Sequence, residues 1–195
     1  MSSPERAPRR FDAVVLAGGT ARRLGGADKA LVPVGESTLL ERVLAATADA
    51  HRVVCVGPPR PTPVDVTWTR EEPAGGGPVA GLVAGLAEVG SPVTLVLAVD
   101  LPFVSSSVAR MLARDCPAGG ALLVADEEGR AQPLLGAYDT SALRTRLRDL
   151  GDATNLPMGG VVDGISVRLV SVPRVARDCD TWADVESARR VAGGL

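Results

Sequence analysis

Residues 14–33, VVLAGGTARRLGGADKALVP, constrain this chain more than any other stretch. The apolar run Phe11–Ala17 reads as a buried strand. It breaks into Gly18-Gly19 and then Gly25-Gly26, with Arg22, Arg23 and Lys29 in and after the glycines. Glycine lets backbone N–H groups approach an anion closely, and cations neutralise its charge, so a strand feeding such a loop is a place for phosphates. The spacing excludes two familiar phosphate loops. No glycine immediately precedes the lysine, as G-x-x-x-x-G-K-[ST] requires, and G-x-G-x-x-G is absent.

Strand-like and helix-like segments alternate after this loop. Residues 37–50 carry Leu39, Leu40, Val43, Leu44 and Ala46 at helical spacing, with Thr38 and Glu41 placed as a capping box. Strands are expected over 52–56 and 65–69, separated by the proline-rich turn 57–63. A helix is expected over 78–89, with Pro78 in its first turn. The run Pro92–Val99 is the most continuously apolar, as in a central parallel strand. A helix capped by Ser105 or Ser106 follows, then strands over 121–125 and 131–138 around the turn DEEGR. A helix over 140–150, a strand over 167–172 and a last helix over 182–192 complete the pattern, and residues 151–164 are weakly patterned. Alternation of this kind implies a three-layer α/β/α, Rossmann-like arrangement on a mainly parallel sheet. Residues 1–10 read as a disordered tail and 11–195 as a single domain.

The formal net charge of −2 over 195 residues gives no sign of a nucleic-acid or membrane partner. Cys55, Cys116 and Cys179 are widely spaced and form no zinc pattern, as expected of isolated thiols in a reducing cytoplasm. No apolar signal core follows the basic N-terminus, and no run of 18 apolar residues offers a membrane span. The one histidine, His51, falls at a helix-to-strand junction and reads as a surface residue.

Ligands of open α/β sheets bind beyond the carboxyl ends of the strands. That rule gathers the first glycine loop with Asp100, which ends the Pro92–Val99 run. A carboxylate directly after a buried strand needs a partner. Mg2+, shared with nucleotide phosphates, is one, and backbone N–H groups of the turn are another. Gly77, at the start of a helix, is a second place for an anion.

The pattern L-A-G-G-x-x-x-R-x-G-G-x-D-K, carried by Leu16, Ala17, Gly18, Gly19, Arg23, Gly25, Gly26, Asp28 and Lys29, resembles the first motif of the MobA-like nucleotidyltransferases. Asp100-Leu101-Pro102-Phe103 resembles the second motif. The stretch Gly77-Pro78-Val79-Ala80-Gly81, after Glu71-Glu72, resembles a third. Arg130-Ala131-Gln132-Pro133-Leu134 and Asp178-Cys179-Asp180-Thr181 are similar to later family segments. The resemblance, to molybdenum cofactor guanylyltransferases within that family, implies transfer of GMP from GTP to the phosphate of molybdenum-molybdopterin cofactor. It implies that the backbone of Leu16, Ala17, Gly18 and Gly19 holds the nucleotide and reads its base. It implies that Glu72 (or Glu71) and Gly77 also contact the nucleotide. On the same resemblance, Arg23 and Lys29 are expected to stabilise phosphate charge, Asp100 and Asp180 to hold Mg2+, and Arg130 and Gln132 to face the acceptor. The loop Asn155–Gly160 is expected on the acceptor side. Where the family often has a base-contacting asparagine after its second strand, this chain has Val56-Gly57-Pro58. The alternatives are a cytidylyltransferase on the same pterin, a nucleotidyltransferase on another small phosphorylated acceptor, and an inactive nucleotide-binding module. Transient contact with proteins that deliver or receive the cofactor is also expected.

Overall fold

The computed structural model describes residues 9–18 and 25–193. Strand β1, Phe11–Leu16, is followed by a 3-10 turn at Lys29–Leu31 and a short ribbon of β2, Pro33–Val34, and β3, Ser37–Thr38. Helix α1, Leu39–Ala46, then leads through β4, Val53–Val56, and β5, Thr67–Thr69, to α2, Gly77–Ala87. Next come β6, Val93–Ala98, α3, Ser106–Asp115, β7, Gly120–Ala125, and β8, Ala131–Asp139. The described chain closes with α4, Thr140–Leu150, α5, Met158–Val162, β9, Ser166–Ser171, and α6, Trp182–Gly193.

Among the described residues the main sheet has seven strands in the order β5-β4-β1-β6-β8-β7-β9. Neighbouring strands are parallel except at β8, which runs against both β6 and β7. The mainly parallel sheet expected from the alternation is therefore present, with one strand reversed. That reversal follows from a short turn: residues 126–130 join β7 directly to β8 and allow only an antiparallel pair. The carboxyl ends of β1, β4, β6 and β7 thus share one edge with the beginning of β8.

Phe11 to Val15 are buried, and their side chains alternate between two cores. Ala13 and Val15 pack with Leu40, Val43 and Leu44 of α1 and with Leu112 of α3. Val14 packs with Leu82 and Leu86 of α2, Leu143 of α4 and Val161 of α5. A third, smaller cluster joins Val34 and Leu39 to Cys179, Val185 and Ala188, and so seats α6 on the β2–β3 ribbon. Helix α2 owes its glycines to close packing. A Cβ on Gly85 would come within 2.6 Å of Val14 Cγ1 and 2.9 Å of Val56 Cγ2.

The capping box at Thr38 forms as expected, with Glu41 N–H donating to Thr38 Oγ1 and Thr38 N–H to Glu41. Helix α1 nevertheless starts after Ser37 and stops at Ala46, short of Ala50. Ser105 is the cap of α3. The weakly patterned 151–164 contains the five-residue α5. Residues 1–8 of the expected tail lie outside the described residues, and Arg9 donates to Cys116 O at 2.7 Å. No helix among the described residues is long and apolar enough to cross a membrane.

Candidate active site

Strand β1 is buried between β4 and β6, so its end brings Gly18 to the middle of the carboxyl edge. Ala17 N–H donates to Val56 O, and Val99 N–H donates to Leu16 O, which hold the strand's exit on both sides. Gly57, at φ +141°, passes so close that a Cβ there would lie 2.9 Å from Gly18 N. The loop after β4 therefore lies directly against Gly18. Gly19 and Arg23 lie outside the described residues, as does Arg22. The chain is described again from Gly25, and Asp28 caps the 3-10 turn by accepting from Ala30 N–H.

Lys29, the first residue of that turn, sends its ammonium between two carboxylates. Its Nζ donates to Asp100 Oδ2 at 2.7 Å and to Asp180 Oδ1 at 2.5 Å. Asp100 lies just past β6, and Asp180 lies in the segment entering α6. Cys179 N–H donates to Asp100 O and pins the two segments together. The Lys29 and Asp100 side chains are only 18% and 19% exposed, so water screens their attraction less than at an open surface. Burial alone would lower the Lys29 pKa, but the charge and hydrogen bonds of Asp100 and Asp180 outweigh it and hold the ammonium above its ordinary value. Asp178 titrates above the usual carboxylate range, through burial first and then the negative charges of Asp100 and Asp180. Asp178 therefore belongs to the same electrostatic cluster, a membership that its place in the Asp178-Cys179-Asp180 triplet does not by itself reveal.

Two carboxylates that converge on one ammonium have the hard oxygen donors that suit Mg2+. Among the described residues no three acidic, cysteine or histidine side chains form a complete metal-ligand set. The two carboxylates alone fit a cation that takes its remaining ligands from phosphates and water.

The other expected site residues occupy the same edge in separate groups. Gly77 opens α2 at φ +90°, and Asn155 N–H donates to Gly76 O at 2.7 Å, so the 152–157 loop packs on the second glycine loop. Of the two acidic candidates ahead of it, Glu71 accepts from Gly75 N–H at 2.9 Å and braces the loop. Glu72 is exposed. Both line a groove of about 1290 Å3 between α2 and α4, whose walls do not include Lys29, Asp100 or Asp180. Arg130 and Gln132 meet on one carboxylate at the β7–β8 turn, donating to Asp126 Oδ2 at 2.9 and 3.0 Å. Asp126 has no counterpart in the quoted motifs. The Arg130 side chain is 74% exposed and also pairs with Glu128 at 3.0 Å. His51 is exposed at the opposite, amino edge, where its ring contacts Arg10.

Residues 13–158 match the MobA-like NTP transferase domain. The molybdenum cofactor guanylyltransferase of Acidiphilium cryptum is 31% identical over 188 residues, 90% of this chain and 92% of that protein. The molybdopterin-guanine dinucleotide biosynthesis protein A of Archaeoglobus fulgidus has a TM-score of 0.74 at 22% identity, covering 94% of this chain and 100% of that one. The 2-C-methyl-D-erythritol 4-phosphate cytidylyltransferase of Thermus thermophilus has a TM-score of 0.67 at 25% identity, covering 92% and 98%.

Proposed function

The chain belongs to the MobA-like NTP transferase domain family, and from that premise we propose that it moves GMP from GTP onto the phosphate of molybdenum-molybdopterin cofactor, releasing pyrophosphate. The observation that carries the reading is the convergence of Asp100 and Asp180 on the Lys29 ammonium, at the sheet edge where the glycine loop emerges. The names of the relatives supply the guanine and the pterin. The same fold serves a cytidylyltransferase, so the choice of base lies in side chains and loops rather than in the architecture.

In this reaction an acceptor phosphate oxygen attacks the α-phosphorus of GTP in line. A new P–O bond forms, and the bond to the bridging oxygen of the β-phosphate breaks, carrying its electron pair away as pyrophosphate. Positioning and charge neutralisation do most of the work in such transfers, so no protein nucleophile is required. The backbone of residues 16–19 holds the nucleotide beside Gly57, and the α2 N-terminus at Gly77 lends partial positive charge. Lys29 and Arg23 offset charge at the α-phosphate and on the departing pyrophosphate. Asp100 and Asp180 would hold Mg2+, which supplies charge neutralisation at the phosphate oxygens. Arg130 and Gln132 take the acceptor, and Glu72 contacts the nucleotide from the loop ahead of α2. Residues 11–195 act as one domain. The three buried free cysteines support a reducing compartment, the cytoplasm.

The test is pyrophosphate release with Mg2+ and each of GTP, CTP, ATP and UTP, with and without molybdenum-loaded molybdopterin. Release with GTP and pterin only is the expected result. Release with CTP would overturn the base assignment while keeping the site. Absence of release with every nucleotide would overturn the reading.

A further inference from the structure

We propose that Arg60, in the proline-rich loop 57–63, is a positioning residue that sets Lys29 through Asp28; the inference deepens the function just proposed and rests on it for its catalytic consequence.

The Arg60 side chain is only 9% exposed, and all three of its guanidinium nitrogens are engaged. Nε donates to Asp28 Oδ2 at 2.7 Å and Nη2 to Asp28 Oδ1 at 2.8 Å, a fork-on-carboxylate pair. Nη1 donates to Pro58 O at 2.9 Å, within its own loop. Its Cζ lies 6.0 Å from the ring centroid of Trp68 on β5. A planar fork bonded at two points and backed by an aromatic ring leaves the facing carboxylate one orientation.

That carboxylate has a second task. Asp28 Oδ1 also accepts from Ala30 N–H and caps the 3-10 turn whose first residue is Lys29. The turn is only three residues long, and its own backbone bonds are few: Leu31 N–H to Asp28 O, and Val32 N–H to Lys29 O. Upstream, Gly25 and Gly26 adopt φ +69° and +81°, and among the described residues a Cβ on either would meet nothing within 4 Å. Ala30 and Val32 are buried and seat the turn on one side, and Arg60, through the cap Asp28, restrains it on the other. Where it points decides whether the Lys29 ammonium meets Asp100 and Asp180.

The experiment compares Arg60→Gln and Arg60→Lys with the unaltered protein in two ways. Hydrogen exchange of the backbone over residues 30–32 is followed in the ligand-free protein, with α3 as an internal reference. Turnover is measured in the unaltered and Lys29→Ala backgrounds. The expected result is faster exchange over 30–32 with α3 unchanged, and a loss of kcat of about tenfold to a hundredfold in Arg60→Gln. Arg60→Lys, which keeps the charge and loses the fork, recovers only part of it. In the Lys29→Ala background Arg60→Gln causes no further loss, because Arg60 acts through Lys29. Unchanged exchange over 30–32, an unchanged kcat, or an equal loss in both backgrounds would each overturn the proposal. If the unaltered protein releases no pyrophosphate, the function falls, and exchange over 30–32 alone decides whether Arg60 holds the turn.

Discussion

Lys29 is one positive charge held by two negative ones, and that imbalance makes the centre receptive to a further cation. Asp100→Ala is expected to keep the circular dichroism spectrum of the unaltered protein and to abolish turnover; a folded variant with a near-normal rate would sink the metal assignment. If Lys29 acts on the phosphates as proposed, Lys29→Ala is expected to lower kcat by about a hundredfold to a thousandfold. The cysteines behave oppositely. Burial pushes the Cys55 thiol up to about 12 and those of Cys116 and Cys179 up to about 11. The folded protein should therefore resist alkylation by iodoacetamide at pH 8, whereas the urea-unfolded chain reacts at all three thiols. Asp100 is legible in the sequence because an apolar run leads straight to it. The bond between Arg60 and Asp28 is not, because it joins positions 32 apart through a proline-rich loop whose path no local propensity sets. Asp178 is visible as a motif residue, but its charge coupling to Asp100 exists only once β6 and the entry to α6 are pinned side by side.

Helix α2 shows how an element can be read correctly for an incomplete reason. Its apolar run and its proline announce a buried helix, yet the glycines, poor helix formers, serve the approach of α2 to β1 and β4. Gly85→Ala should gain about 1 kcal/mol in helix propensity. Overpacking against Val14 and Val56 typically costs about 1–3 kcal/mol, so the expected outcome is a lower urea midpoint; a raised midpoint would show that α2 can retreat from the sheet. The reversed β8 has the same physical explanation as its legible neighbours. An apolar run does not encode direction, and only the short 126–130 turn does. The two-residue strands β2 and β3 and the short α5 are too brief to leave a periodic trace, and tertiary contact with α6 and α4 secures them.

At the scale of the molecule, the sheet's amino edge ties stability to pH. Asp12 is buried. Desolvation pushes its pKa up, but hydrogen bonds from Gly90 N–H, Ser91 N–H and the Ser91 hydroxyl outweigh it and hold the carboxyl below its ordinary 3.8. A carboxyl lowered by folding adds stability at pH values above 3.8, and the addition fades as pH falls through the folded value. Unfolding free energy should therefore drop between about pH 5 and pH 2, with a shallower slope in Asp12→Asn, as urea titrations at stepped pH would show. The pairing of Lys29 with Asp180, 151 positions apart, also has a consequence in time. A ribosome makes the glycine loop early and Asp180 much later. For most of its synthesis the nascent chain carries the loop without the second carboxylate, so the Lys29 ammonium gains both of its partners only as the fold closes.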